Sequence, residues 1–228
     1  MKNIFDNVDL LRAYDNILPK ISYYNKINQI HVEELKDCKS ILDIGCGTGF
    51  STTSFLLNNH NVTALDISQK SIQILLEKVK HLDNRFNLKI LNCDALKLPN
   101  KLKNTFDGVN CMIAAHLFKD IDRHFKQVFM TLKKGGKFAL TLRIKGKNQE
   151  VLVNKVNVSL NGSIIEREIQ EDYNIICNSL LLTANERTKS RFTELEIENK
   201  LKIIGFTKLK SIQNDSSGVM STLICTKP

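Results

Sequence analysis

Apolar positions along this 228-residue chain follow two rhythms. Over residues 1–39 they recur every three to six residues, at Phe5, Val8, Leu11, Ile17, Ile21, Tyr24, Ile27, Ile30 and Leu35, which predicts amphipathic helices. Pro19 lacks an amide and crowds the preceding turn, so two helices are expected rather than one. From Ser40 onward, short apolar runs alternate with helical periods. Strands are expected at 40–44, 61–66, 86–91, 106–113 and 137–142, with helices at 48–58, 69–82 and 120–132 between them. The pair Gly135-Gly136 supplies a left-handed residue to close the last of these helices.

The alternation stops at Ile144. Runs at 151–160 and 163–170 flank Asn161-Gly162, a two-residue hairpin signal, and 173–183 reads as a third strand. Thr193 with Glu196 three residues on is a capping box opening a helix that ends near Ile204-Gly205. Alternating runs at 206–212 and 219–226 close the chain as an antiparallel pair. The expected layout is one domain: a helical cap (1–39), an α/β core (40–144), an inserted antiparallel β meander (145–191), and a terminal helix and strand pair (192–228).

A hydrophobic content of 42% is enough for a sizeable core, and no window approaches the ~18 consecutive apolar residues of a membrane span. The polar start Met1-Lys2-Asn3-Ile4-Phe5-Asp6 does not read as a signal peptide. Six cysteines are scattered without a C-x-x-C pair, which argues against a metal site or disulfide framework. Together these features place the protein in a reducing cytoplasm, away from membranes. A net charge of +9 invites a nucleic-acid partner. The lysines are dispersed, however, and form no run of five, so a biased composition is favoured over a nucleic-acid surface.

Candidate chemistry gathers at the ends of the expected strands. After Ile41, Leu42 and Ile44, the residues Gly45-Cys46-Gly47-Thr48-Gly49 clear side chains from a strand-to-helix turn, so a ligand can lie against backbone and helix-start amides. The spacing is G-x-G-x-G, and Phe50 stands where the dinucleotide fingerprint needs a small residue, which ranks an NAD site last. Asp66 ends the second strand seventeen residues beyond Gly49, the placement of a carboxylate that accepts from ribose hydroxyls. Ser68 is a rival as the cap of the following helix. Asp94 lies past the third strand on the same sheet edge, where it can accept from an exocyclic amine or bond its own turn. His116 follows the fourth strand and is the leading candidate for a general base. Tyr14, Tyr23 and Tyr24 either pack the cap onto the domain or orient a substrate.

With these residues placed, the chain resembles the class I S-adenosylmethionine-dependent methyltransferases of small-molecule type, over about 40–141 and again from Phe192 to the end. Residues 41–49 match the family's first motif, Asp66 the ribose-binding acid, Asp94-Ala95 the adenine-binding pair, and Ile113-Ala114-Ala115-His116 the strand end beside the methionine moiety. Lys133-Lys134-Gly135-Gly136 departs from the family in lacking a proline before the glycines. The resemblance implies an α/β, doubly wound sheet of seven strands, order 3-2-1-4-5-7-6 with strand 7 antiparallel. It implies S-adenosyl-L-methionine as cofactor, with S-adenosyl-L-homocysteine as product, held by Asp43, Gly45, Cys46, Gly47, Gly49, Asp66, Ile67, Asp94, Ala95 and Ile113. Asp43 would orient the cofactor's amino group, and no metal is expected.

The implied reaction is in-line transfer of a methyl group to an O, N or C nucleophile of a small molecule. Alternatives are an RNA or a carrier-bound acyl carboxylate as acceptor, or a non-catalytic protein that binds the cofactor. Ala114-Ala115-His116-Leu117 replaces the N-P-P-aromatic tetrapeptide of base- and amide-methylating relatives. The meander would serve as a lid or as the surface of a homodimer.

Overall fold

The computed structural model describes residues 7–145, 170–176, 178, 192–213 and 219–228. Its centre is a seven-stranded sheet of order β3-β2-β1-β4-β5-β7-β6, as expected. The strands are β1 (Ser40–Ile44), β2 (Asn61–Asp66), β3 (Leu88–Asn92), β4 (Phe106–Met112), β5 (Leu132–Arg143), β6 (Thr207–Gln213) and β7 (Met220–Thr226). The first five pair in parallel, whereas β7 runs antiparallel to both β5 and β6. Parallel strands require crossovers. Helices supply three of the four: α3 (Phe50–Leu57) after β1, α4 (Gln69–Val79) after β2 and α5 (Ile121–Thr131) after β4.

Two helices, α1 (Val8–Ile17) and α2 (Ser22–Glu34), precede the sheet, separated at a 3-10 turn that contains Pro19. The last helix, α6 (Glu194–Ile204), opens on the Thr193/Glu196 capping box and closes on Gly205 at φ 113°. Both ends are therefore set by local sequence.

Apolar clusters lie on both sheet faces. Phe125, Val128, Phe138, Ile197, Leu201 and Phe206 join α5 and α6 to one face. Leu35, Phe55, Leu56, Leu75 and Val79 join α2, α3 and α4 to the other. A third cluster, of Ala13, Ile17, Tyr23, Tyr24 and Ile27, packs on Phe50, Met112 and Ile113. The cap thereby covers the carboxyl ends of the central strands, where doubly wound sheets bind ligands. α2 belongs to two layers, its first half in the cap cluster and its last turns in the sheet face.

Two expectations need correction. Residues 170–176 are helical, so the part of the 173–183 run that is described is not a strand. Tyr173, Ile175 and Ile176 from this segment pack on the cap cluster, and that docking outweighs the β-branched propensity. The Asn161-Gly162 hairpin and most of the meander lie outside the described residues. Gly135 does take a left-handed φ of 79°, but α5 has already ended and β5 has begun at Leu132. The Gly135 N–H donates to Lys227 O, and the Lys227 N–H to Gly136 O, so the residues beyond β7 hold the glycine pair in the ladder.

His124 is fully buried among Phe118, Phe125 and Phe138, and neither ring nitrogen has a hydrogen-bond partner. Burial pushes its pKa down to about 3. The unfolded chain then takes up a proton near 6.5 that the folded chain refuses, so stability falls as pH drops from 6.5 towards 3. The slope is ~1.4 kcal/mol per pH unit for this group. His124→Leu removes two unsatisfied buried nitrogens and is expected to raise the melting temperature at pH 7.5. The gain should widen at pH 5, and a lower melting temperature at both would reject this account.

Candidate active site

β1 delivers the glycine turn to the carboxyl edge of the sheet. The Gly45 and Cys46 amides both bond Leu65 O, tying the turn to β2, and Gly49 N–H bonds Cys46 O. Gly45, Gly47 and Gly49 have φ of 71°, 53° and 88°, a region that side chains rarely adopt. Their surroundings differ. A methyl group on Gly45 would fall 2.4 Å from the Ala114 Cβ, and one on Gly49 2.2 Å from Leu75 Cδ1. One on Gly47 would meet nothing within 4 Å. The outer two glycines are required by packing, while Gly47 faces open space.

Asp66 lies beside the turn. Its carboxylate accepts from Gly47 N–H at 2.9 Å and from Ser68 N–H at 2.8 Å. The helix-cap role falls to Ser68, whose hydroxyl accepts from Ser71 N–H, so Asp66 keeps capacity for a ligand. Burial raises its pKa, and the backbone hydrogen bonds oppose that rise. Ile67 is 63% exposed directly after it, an apolar surface beside an acceptor. Asp94 accepts from Leu96 N–H at 2.8 Å, so one of its oxygens closes a local turn, and Ala95 is buried. Ile113 follows β4 directly at φ 59°, a strained conformation for a β-branched residue that costs on the order of 1–3 kcal/mol. Such strain gathers at ligand sites.

Asp43 is placed differently from the other acids. It is 2% exposed, beneath the turn, and its two oxygens accept from Thr52 Oγ1 at 2.5 Å and Asn110 Nδ2 at 2.7 Å. Burial pushes its pKa up to about 6 against those two bonds, with Asp66 adding a like charge. Among the described residues neither Asp43 nor Asp66 has an ion-pair partner. Two buried or half-buried carboxylates at one glycine turn make an electrostatic site suited to a cation.

His116 follows Ala115 in a short 3-10 turn after β4. Its Nδ1 is buried without a partner, and burial, with Arg143 adding, pushes its pKa down to about 3. Arg143, at the carboxyl end of β5 and 8% exposed, lines a small cavity with His116, Phe118 and Phe192. Its charge also reaches Tyr24, whose phenol burial pushes up to about 12. Tyr23 and Tyr24 are buried in the cap cluster and Tyr14 packs against it. The structure thus brings Tyr14, Tyr24, Arg143 and His116 into one neighbourhood above the sheet edge. Arg143, Asn110, Thr52 and His31 were not singled out from sequence, because each reads there as an ordinary strand end, strand interior or helix position.

Residues 41–136 match the family model of the methyltransferase domain. An uncharacterised protein of Methanocaldococcus jannaschii is 32% identical over 143 residues, covering 62% of this chain and 51% of its own. A ubiquinone biosynthesis O-methyltransferase of Coxiella burnetii is 24% identical over 134 residues, 57% of this chain and 56% of that protein. This chain spans from 23% to 56% of the length of such relatives. Among solved structures, the Burkholderia thailandensis 1,6-didemethyltoxoflavin-N1-methyltransferase, with S-adenosylhomocysteine bound, superposes with a TM-score of 0.63 at 16% identity, covering 96% of this chain and 85% of that one. At this identity the likeness is one of fold. The matched segment and the strand order show a methyltransferase domain over residues 41–136, in a chain with the fold of the class I S-adenosylmethionine-dependent methyltransferases.

Proposed function

We propose that this protein transfers the methyl group of S-adenosylmethionine to a nucleophile of a small molecule. The observation that carries the reading is the pair Asp43 and Asp66 at a turn where Gly47 opens onto free space, with no cation paired to either acid among the described residues. That donor set fits the cofactor. Gly45, Cys46, Gly47 and Gly49 would let the amino-acid portion approach the backbone, and Asp43 would supply negative charge from beneath. Asp66 would accept from the ribose hydroxyls, with Ile67, Asp94, Ala95 and Ile113 around the remainder. Bound there, S-adenosylmethionine supplies a methyl group whose leaving group is a neutral thioether and needs no acid.

The protein's contribution is then to hold the acceptor in line and keep water away. The cap cluster over the carboxyl edge supports a small, enclosed acceptor. Tyr24 keeps its proton and can donate a hydrogen bond to that acceptor. His116 is held neutral, the form in which an imidazole can accept a proton. The Arg143 charge favours an acceptor that carries or develops negative charge at the reacting end. An anion paired with Arg143 would also lift the His116 pKa towards a useful range.

Labelled S-adenosylmethionine incubated with the protein and with small-molecule, RNA and protein fractions of a cell extract tests this reading. Label is expected in the small-molecule fraction. Label mainly in RNA would overturn the acceptor class. Cofactor binding with no transfer to any fraction would leave a binding protein rather than an enzyme.

A further inference from the structure

A row of buried polar side chains crosses the sheet beneath the site, and of its members only Asp43 has a place in the chemistry above. His31 of α2, Asp43 of β1, Asn110 of β4, Thr141 of β5 and Thr222 of β7 lie within it, and all but Asp43 are fully buried. His31 Nδ1 lies 2.5 Å from Asn110 Oδ1, and its Nε2 lies 2.6 Å from Thr141 Oγ1, which lies 2.5 Å from Thr222 Oγ1. Asn110 Nδ2 in turn donates to Asp43 at 2.7 Å.

The hydrogens can be assigned from the acid end. An ionised carboxylate only accepts, so Asn110 presents its amide N–H to Asp43 and its carbonyl to His31. His31 must then carry its proton on Nδ1 and accept on Nε2 from the Thr141 hydroxyl. Thr141 in turn accepts from Thr222. Burial pushes the His31 pKa down to about 4, with the Asn110 bond and Glu34 of the same helix opposing, so the ring is neutral at pH 7. Every donor in the row points towards Asp43, and each bond polarises the next.

Net folding stability is a weak reason to keep a row of this kind. Polar groups inside a core contribute little net stability compared with apolar residues of similar shape. Its terminus is Asp43, the one buried acid under the glycine turn among the described residues, and its helical member, His31, sits where α2 passes from cap to sheet face.

We propose that His31 is a positioning residue of the cofactor site, acting through Asn110 to hold the Asp43 carboxylate oriented and hydrogen-bonded beneath the glycine turn. The seating of the cap helix and the binding of ligand are thereby coupled. This inference rests on the proposed binding of S-adenosylmethionine at that turn.

Calorimetric titration with S-adenosylhomocysteine of the wild type, His31→Leu and His31→Gln tests it. The leucine variant fills the space and removes both bonds, and its affinity is expected to fall by about tenfold. Glutamine can donate to Asn110 and accept from Thr141, so it is expected to recover affinity to within about threefold of wild type. The wild type also gives a readout that needs no variant. The ring-nitrogen resonances of His31 are expected to report a proton on Nδ1 and to move on saturation with S-adenosylhomocysteine. Equal affinity of all three proteins, a glutamine variant no better than leucine, or unmoved ring resonances would each overturn the proposal. Failure of the wild type to bind would instead overturn the cofactor reading, and this inference with it.

Discussion

Asp66→Ala is expected to weaken S-adenosylhomocysteine binding by roughly 100-fold. The ribose of the ligand would lose two hydrogen bonds to a charged acceptor, each contributing about 1.5 kcal/mol, and every 1.4 kcal/mol is tenfold in affinity. The fold should survive. Ser68 caps α4 independently, and of the two amides that Asp66 accepts from, that of Gly47 lies at a half-buried turn that water can reach, while that of Ser68 is buried. Asp66→Asn keeps an acceptor without the charge and should fall between the two. Calorimetry measures all three proteins. An alanine variant that binds like the wild type would show that the acid at the end of β2 does not hold the ligand.

The second large effect separates the roles of two glycines only two positions apart. Gly45→Ala meets a left-handed backbone and a 2.4 Å collision with Ala114 Cβ. Conformational strain of about 1–2 kcal/mol and overpacking of about 1–3 kcal/mol combine, so a loss of roughly 2–5 kcal/mol is expected. For a domain of this size that lowers the melting temperature by about 4–20 °C. Gly47→Ala carries the same conformational strain at φ 53° but meets no neighbour within 4 Å. Its melting temperature should fall by about half as much, while its methyl group occupies the space a ligand needs. Affinity for S-adenosylhomocysteine is therefore expected to drop at least tenfold in Gly47→Ala, beyond what its small stability loss explains. Thermal melts and titrations of the two variants decide this. A Gly47→Ala protein with native affinity would place the ligand elsewhere.

The pH behaviour combines opposing groups. His31, His116 and His124 each bind protons less readily in the folded chain, so each withdraws stability as pH falls below 6.5. Asp43 works the other way. Its folded pKa of about 6 lies above the carboxylate value of 3.8, so protonation favours the fold, and that contribution is lost as pH rises through 6. A carboxylate kept buried at that disadvantage, with neutral partners only, fits a role at a ligand site better than one in the core.

Much of this protein was legible along the chain because the relevant partners are close in sequence. The periods of three to six and of two locate α1, α2 and the strands, since burying one face is the main force that selects an element. Pro19, the Thr193/Glu196 box and Gly205 set helix ends through bonds spanning a few residues. The glycine turn and Asp66 pointed to the proposed cofactor site for a related reason: a strand end, a tight turn and a helix start are contiguous, and the acid lies one crossover away. Resemblance to a family then supplied the strand order, which periodicity alone does not contain.

Tertiary structure decided the rest. The His31 ring meets Asn110 across 79 residues and Thr141 across 110, in a contact that exists only once α2 docks on a sheet of fixed register. Asp43 could be read as a ligand contact from its motif, but its depth beneath the turn depends on Thr52 and Asn110 closing over it. Arg143 and His116 share a cavity because β4 and β5 are neighbours, and residues 170–176 are helical because the cap cluster gives their apolar side chains a surface to cover. Local sequence determined where a ligand can lie against the backbone. Which charges and hydrogen bonds surround it was decided by packing between distant segments, because each such partner is specified by the fold rather than by its neighbours in the chain.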